Sequence, residues 1–283
     1  MNSLMDGIVD MHVHTMPDTT ERNYNDFQLV EAANRVGARA VVLKCHHGST
    51  VERAYLCNLY LHEKHPESKL QVFGSLVLNR EVGGLNLAAV DYELSLGAKE
   101  IWLPTKDSRN DFARRGKVGG IAVLDQEGNV LPVLVDILRS IAAHGAVLAT
   151  GHLSFAETCK VVAKAREVGV KNIVITHPEY WIVDETLEQQ KYLVDKFGVV
   201  LEKVYIQPLK DGTWIDNMAK DLEAIEKIGY QHIAMATDSG YYRNDPWDVM
   251  LEKYVDYLLA HGISEDEVRY MSRVNQKRLL GID

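Results

Sequence analysis

Histidine titrates near neutral pH and binds divalent metals, and its placement in this sequence is not scattered. His12 and His14 flank Val13, His46 and His47 are adjacent, His152 sits in Thr150-Gly151-His152-Leu153-Ser154, and His177 precedes Pro178. Asp238 adds a carboxylate in Thr237-Asp238-Ser239-Gly240. Each group directly follows a short apolar run that reads as a β-strand. A His-X-His step on a strand turns both imidazoles the same way, because strand side chains alternate with a period of two. Two imidazoles, a third or fourth, and one carboxylate suit Zn²⁺ or a similar divalent ion. An open coordination position lowers the pKa of a bound water toward neutral. Asp238 is the natural group to accept the water's proton.

The elements that must position these residues follow from the hydrophobic pattern. Strands are expected at residues 7–13, 38–44, 70–78, 98–103, 146–150, 172–176, 199–202 (extending as far as 206) and 232–237. Helices are expected at 26–36, 50–64, 86–96, 132–144, 154–168, 186–197, 216–228 and 246–260, with one or two more over 264–280. Gly37 and Gly97 stand where helix C-termini want glycine. The strands read as near-continuous apolar runs, as strands buried on both faces do. Eight strand-then-helix units over 283 residues predict an α/β fold, a single-domain (β/α)₈ TIM barrel spanning 1–283. One insertion, residues 105–131, follows strand four and reads as a polar loop ending in a small hairpin over 121–131. The carboxyl ends of all barrel strands open on one mouth, so histidines far apart in sequence converge there.

These residues carry a family resemblance. Val9-Asp10-Met11-His12-Val13-His14, with His152, His177 and Asp238 after strands five, six and eight, resembles the amidohydrolase superfamily of metal-dependent barrel hydrolases across nearly the whole chain. The stretches around His12–Asp18, Leu43–His47 and Ala149–Ser154 resemble a poorly characterised amidohydrolase-like branch. The resemblance implies metal ligation by His12, His14, His152 or His177, and Asp238. It names no substrate. One departure stands out: many binuclear members carry a bridging lysine or glutamate at the end of strand four. Here that strand ends Ile101-Trp102-Leu103-Pro104-Thr105, with Lys106 one step further on. A single ion is the simpler reading, with His177 either a ligand or a hydrogen-bonding electrophile. Lys44 is inward if His46 is, and could bridge metals, act as a base, or pair with Asp10 or Glu202.

Around this centre, His46 and His47 are substrate-binding candidates, with only one facing the mouth if the strand continues. The insertion gathers Lys106, Arg109, Arg114, Arg115 and Lys117. Of these, Arg109 and Arg115 are candidates for a substrate carboxylate or phosphate, against a solvated mobile loop. Asp18 and Arg22 either contact substrate or pair with each other. Tyr180-Trp181 and Tyr241-Tyr242 either wall the pocket or pack loops.

Composition narrows the partners. Lys and Arg total 31 against 40 Asp and Glu, a formal charge of −9, which argues against a nucleic-acid backbone or an anionic membrane as main partner. Three cysteines give no disulfide framework. No apolar run is long enough to span a bilayer, and no signal-peptide pattern opens the chain. A cytoplasmic protein acting on a small molecule is expected, with homo-oligomerisation left open. There is no nucleophile elbow, phosphate loop or dinucleotide fingerprint. The expected activity is metal-dependent hydrolysis of an amide, cyclic amide or lactone/ester bond, with zinc first and manganese or iron as alternatives, as one or two ions. Decarboxylation, phosphoester hydrolysis and a non-catalytic metal- or ligand-binding barrel are the competing readings.

Overall fold

The expected apolar runs become parallel strands, each delivering its C-terminal end to the same rim. In the computed structural model, which describes residues 3–283, they are β1 (Val9–His14), β2 (Ala40–Lys44), β3 (Gln71–Val77), β4 (Glu100–Trp102), β5 (Val147–Ala149), β6 (Asn172–Ile175) and β7 (Val200–Val204). A short antiparallel hairpin of β8 (Ile206–Pro208) and β9 (Trp214–Asp216) precedes β10 (Ile233–Ala236). The main sheet runs β1-β2-β3-β4-β5-β6-β7-β10. A parallel bridge from Val13 to Ser239 brings its two ends together, where the His14 N–H donates to the Ser239 carbonyl at 3.0 Å. This is the eight-stranded TIM barrel.

Helices α1 (Asp26–Arg35), α2 (Val51–Lys64), α3 (Leu87–Ser95), α4 (Arg109–Arg114), α5 (Pro132–His144), α6 (Phe155–Glu167), α7 (Leu187–Phe197), α8 (Met218–Ile228), α9 (Trp247–Ala260), α10 (Glu265–Arg269) and α11 (Asn275–Leu280) accompany the strands. Reciprocal capping boxes at Asn25, Ser154, Thr186 and Ser264 start α1, α6, α7 and α10, each satisfying backbone donors that a helix N-terminus leaves open. The last expected helix, 264–280, is broken by a π-helical turn at Tyr270–Val274 between α10 and α11.

The barrel interior is graded. At the amino end of the strands Val9, Met11, Ala40, Val42, Val147, Val174, Val200 and Ala234 pack into an apolar layer, stoppered by Leu279 and Leu280 of α11. Above this layer Lys44, Glu100 and Glu202 are almost fully buried, and Val77, Trp102 and Ala149 form a further apolar cluster at the carboxyl ends of β3, β4 and β5. β1 departs from strict alternation. Asp10 pairs with Val41 while Val13 pairs with Leu43, so β1 carries one extra residue between them. Such a bulge re-aims side chains. Met11 joins the interior layer and His12 also faces inward. Asp10 turns out to the helical shell, where its carboxylate accepts from Trp247 Nε1 at 2.9 Å and Thr237 Oγ1 at 2.7 Å. The expectation that Asp10 could pair with Lys44 fails for this reason.

The insertion is not a loose loop. Ser108 caps α4, and bridges Ser108–Ile121 and Leu124–Val130 fold the rest back on it. The β8–β9 hairpin was not expected from the sequence, where residues up to 206 read as an extension of strand seven.

Gly240 shows how tightly the rim is built. Its φ is +126°, and a Cβ there would lie 2.1 Å from the His14 carbonyl oxygen. Gly240→Ala should therefore cost roughly 2–4 kcal/mol and lower Tm by about 5–10 °C in a chain of this size. A wild-type melting curve for that variant would contradict this packing.

Candidate metal centre

The site is assembled from strand ends. His12 is wholly buried. Its Nδ1 lies 3.1 Å from Glu202 Oε2 on β7, and its Nε2 lies 3.0 Å from Asp238 Oδ1. His14 Nε2 lies 3.3 Å from the same Asp238 oxygen, and its Nδ1 lies 3.4 Å from Arg22 Nη2. His12, His14 and Asp238 each offer one ligand atom, and the three atoms fall within 4.8 Å of one another, an arrangement that could hold a metal ion. The His152 and His177 rings complete the wall, with centroids 5.2 Å apart, and that of His177 is 5.8 Å from His12. His177 and Asp238 have φ of 23° and 49°. Non-glycine residues adopt this left-handed region uncommonly, and such conformations cluster at active sites; Asp184, outside the cavity, shares it with φ 56°.

Anchors behind the rings fix their orientation. His152 Nδ1 lies 2.8 Å from Asp111 Oδ2 on α4. Ser108 Oγ and Asn110 Nδ2 donate to the His152 carbonyl at 3.0 and 3.1 Å. The Asp111 carboxylate is buried and also accepts from Arg115 Nε. Carboxylates in this outer position set the tautomer and aim of an imidazole. The His177 N–H donates to Glu202 Oε2 at 3.3 Å, while its ring Nδ1 is buried with no partner. That orphaned nitrogen, and the outward-fixed Nδ1 atoms of His12 and His152, are what a metal centre requires of its donors.

The electrostatics agree. Burial holds the pKa values of His14, His46 and His177 well below the ordinary histidine value and also lowers that of His152. These rings are therefore neutral, the form that ligates metal. Burial opposes protonation of His12 too, but the Asp238 and Glu202 carboxylates outweigh it and raise its pKa above 6.5. Burial would raise Asp238, yet the His12 and His14 imidazoles hold it well below the usual carboxylate range. Lys44 Nζ stands 2.7 Å from His12 Nε2 and 3.8 Å over the Trp102 ring. It forms an ion pair with neither Asp10 nor Glu202 among the described residues, and burial brings it down to about 8.

A cavity of about 160 Å³ opens on this centre. His14, Lys44, His46, His152, His177 and Asp238 line it, so the sequence reading gathered the core of the site. His46 Nδ1 lies 2.9 Å from Thr105 Oγ1. Three expected substrate contacts are elsewhere. His47 faces Glu81, with Nδ1 3.0 Å from Oε1, since neighbouring residues diverge. Arg109 is exposed on α4. Arg115 donates Nε to Asp111 and Nη2 to Tyr180 Oη, the latter at 3.0 Å, and does not line the cavity. Tyr180 and Tyr241 wall the cavity but Trp181 and Tyr242 do not. Arg22 both pairs with Asp18, at 2.7 Å, and lines the cavity.

The sequence reading missed Asp111, Pro208 and Trp214. The last two come from the unexpected hairpin, for which the Asp211-Gly212 turn pair was the available signal. It also missed Glu100, whose two buried carboxylate oxygens have no partner. Burial and the nearby Glu202 push Glu100 well above the ordinary carboxylate value.

Among curated proteins, none matches this sequence. Solved structures match along the whole chain. An amidohydrolase from Pseudomonas aeruginosa aligns at TM-score 0.66 and 13% identity, over 98% of this chain and 96% of its own. A probable dipeptidase from the same organism, PvdM, aligns at 0.62 and 12%, over 98% and 96%. An enamidase described as a member of the amidohydrolase superfamily aligns at 0.56 and 12%, over 98% and 67%. At 12–13% identity these likenesses show a shared barrel fold along the chain. A sequence model matches residues 7–202, which include every site residue named above except Asp238 and the wall residues beyond 202. The chain belongs to the family that this model defines, DUF6282, a family of unknown function.

Proposed function

We propose that the protein is a metal-dependent hydrolase that cleaves an amide, cyclic amide, lactone or ester bond of a small molecule. A barrel of this kind hosts many reactions, so the reading rests on side chains. The observation that carries it is the convergence of His12 Nε2 and His14 Nε2 on Asp238 Oδ1, at 3.0 and 3.3 Å, beside the buried rings of His152 and His177. His12, His14 and Asp238, with His152 or His177, would hold the ion; this nitrogen-and-carboxylate set favours zinc, with manganese or iron as alternatives. When bound, the ion supplies Lewis acidity that activates water and polarises the scissile carbonyl.

The chain's own residues do the rest. Asp238, ionised at neutral pH, takes the proton of the attacking water and returns it to the leaving group. With His152 completing the ligand set, the His177 ring is left to face the developing oxyanion as a donor. Lys44 adds a positive charge beneath His12. Tyr180, Trp214 and Tyr241 limit water access. Turnover of an amide and lactone panel in isotopically labelled water tests this: solvent oxygen should enter the carboxylate product. Release of carbon dioxide without label would instead identify a decarboxylase.

Two further results are expected. Asp111→Asn frees the His152 ring without touching the cavity, and should weaken metal binding about 10- to 100-fold with little change in Tm, measured by chelator competition. Unaltered affinity would separate His152 from the metal. Metal uptake should also expel the proton from His12. Affinity should therefore fall as pH drops through the raised His12 pKa, and be tighter at about pH 8 than at about pH 6. A flat profile across that range would contradict the assignment of His12.

A further inference from the structure

Two cations at the mouth have unused hydrogen-bond donors. Arg22 spends Nε and Nη2 on Asp18 Oδ2, at 3.0 and 2.7 Å, and Nη1 carries no hydrogen bond among the described residues. Its side chain is only 6% exposed. It is held by an antiparallel bridge to Tyr241 and by the Asn23 N–H donating to the Gly240 carbonyl at 2.8 Å. Lys106, in the turn after β4, forms no ion pair or hydrogen bond through its ammonium among the described residues. Both line the cavity, and they repel each other across it. With Lys44 they set three cationic side chains against the single carboxylate of Asp238 in the wall, in a protein whose formal charge is −9. Beside Arg22, Trp214 and Tyr241 stack at 4.9 Å with planes 15° apart, and both line the cavity.

We propose that this mouth is an anion-recognition site: Arg22 and Lys106 take the carboxylate or phosphate group of the ligand, and its planar or acyl body lies along Trp214 and Tyr241. The like charges of Arg22 and Lys106 are held together at a cost that a bound anion relieves. The guanidinium is already oriented by Asp18, so little entropy is lost when it engages an oxyanion. The site makes Arg22 and Lys106 specificity-determining residues for a small anionic substrate. It rests on the hydrolase reading only in calling the ligand a substrate.

Calorimetric titration of the full chain as isolated, and again after dialysis against EDTA, tests the site. The probes are benzoate, phenyl phosphate and the neutral isostere benzamide. Benzoate or phenyl phosphate should bind at least about tenfold more tightly than benzamide, and the tighter of the two identifies the preferred anion. Lys106→Gln, a change at an exposed residue, and Arg22→Gln should each weaken that anion about tenfold or more. Lys106→Arg should restore binding. Tm reports folding of each variant. Equal binding of benzamide and benzoate would overturn the proposal. So would anion binding that survives both substitutions but vanishes with the metal. Anion binding in a protein that takes up no metal would remove the hydrolase reading and leave the anion site standing.

Discussion

Asp238→Asn should reduce kcat by about three orders of magnitude or more while the protein melts within a few degrees of wild type. The substitution is nearly isosteric. Asp238 sits at φ 49°, a conformation that asparagine tolerates well among non-glycine residues, so the backbone turn after β10 survives. What is lost is the charge. The carboxylate is held ionised by His12 and His14, and an amide can neither accept the water's proton nor balance a cation as strongly. His12 should respond as well. Its raised pKa owes more to Asp238 than to Glu202, so removing that charge should move it down, visible as a shifted imidazole titration by NMR. Turnover near the wild-type rate would remove Asp238 from the proton path.

The second large effect is expected from the histidines of β1. His14→Ala and His12→Ala should each lower metal affinity by at least about 100-fold, since each removes a ligand and not merely its support. Their stability costs should differ. His14 touches Asp238 and Arg22 at the mouth, and its loss leaves groups that water can reach. His12 is fully enclosed, and its removal leaves Glu202 buried with, among the described residues, the His177 N–H as its one hydrogen-bond donor, a cost of about 1–3 kcal/mol. Chelator competition and thermal melts therefore separate the two variants. Equal metal content in His12→Ala and wild type would contradict the role given to β1.

The barrel was legible because its signal is local. Runs such as Ala40–Leu43 and Val147–Ala149 are apolar on both faces, and glycines such as Gly37 and Gly97 follow the helices. The convergence of His12, His14, His152, His177 and Asp238 was legible because strand ends share one mouth. What stayed hidden depends on contacts between distant segments or on broken periodicity. Asp111 and His152 lie far apart in sequence, and nothing in a basic insertion marks one aspartate as the anchor of an imidazole. The bulge in β1 leaves His12 and His14 facing the same way, so the His-X-His argument holds, but it turns Asp10 out of the barrel. Arg115 was read for its charge as a substrate contact, yet it is turned to Asp111 and Tyr180 and does not line the cavity. The cations that reach the cavity, Arg22 and Lys106, flank the motifs that drew attention.

The proposed chemistry depends on His12, His14 and Asp238 forming a metal centre. Elemental analysis of the full chain, purified without added metal or chelator, tests it most directly when set beside a His12→Ala/His14→Ala double variant prepared identically. About one divalent transition-metal ion is expected per wild-type chain, and under about a tenth of that in the folded double variant. A wild-type protein devoid of transition metal that also fails to take up zinc on titration, or a double variant carrying the wild-type complement, would contradict it.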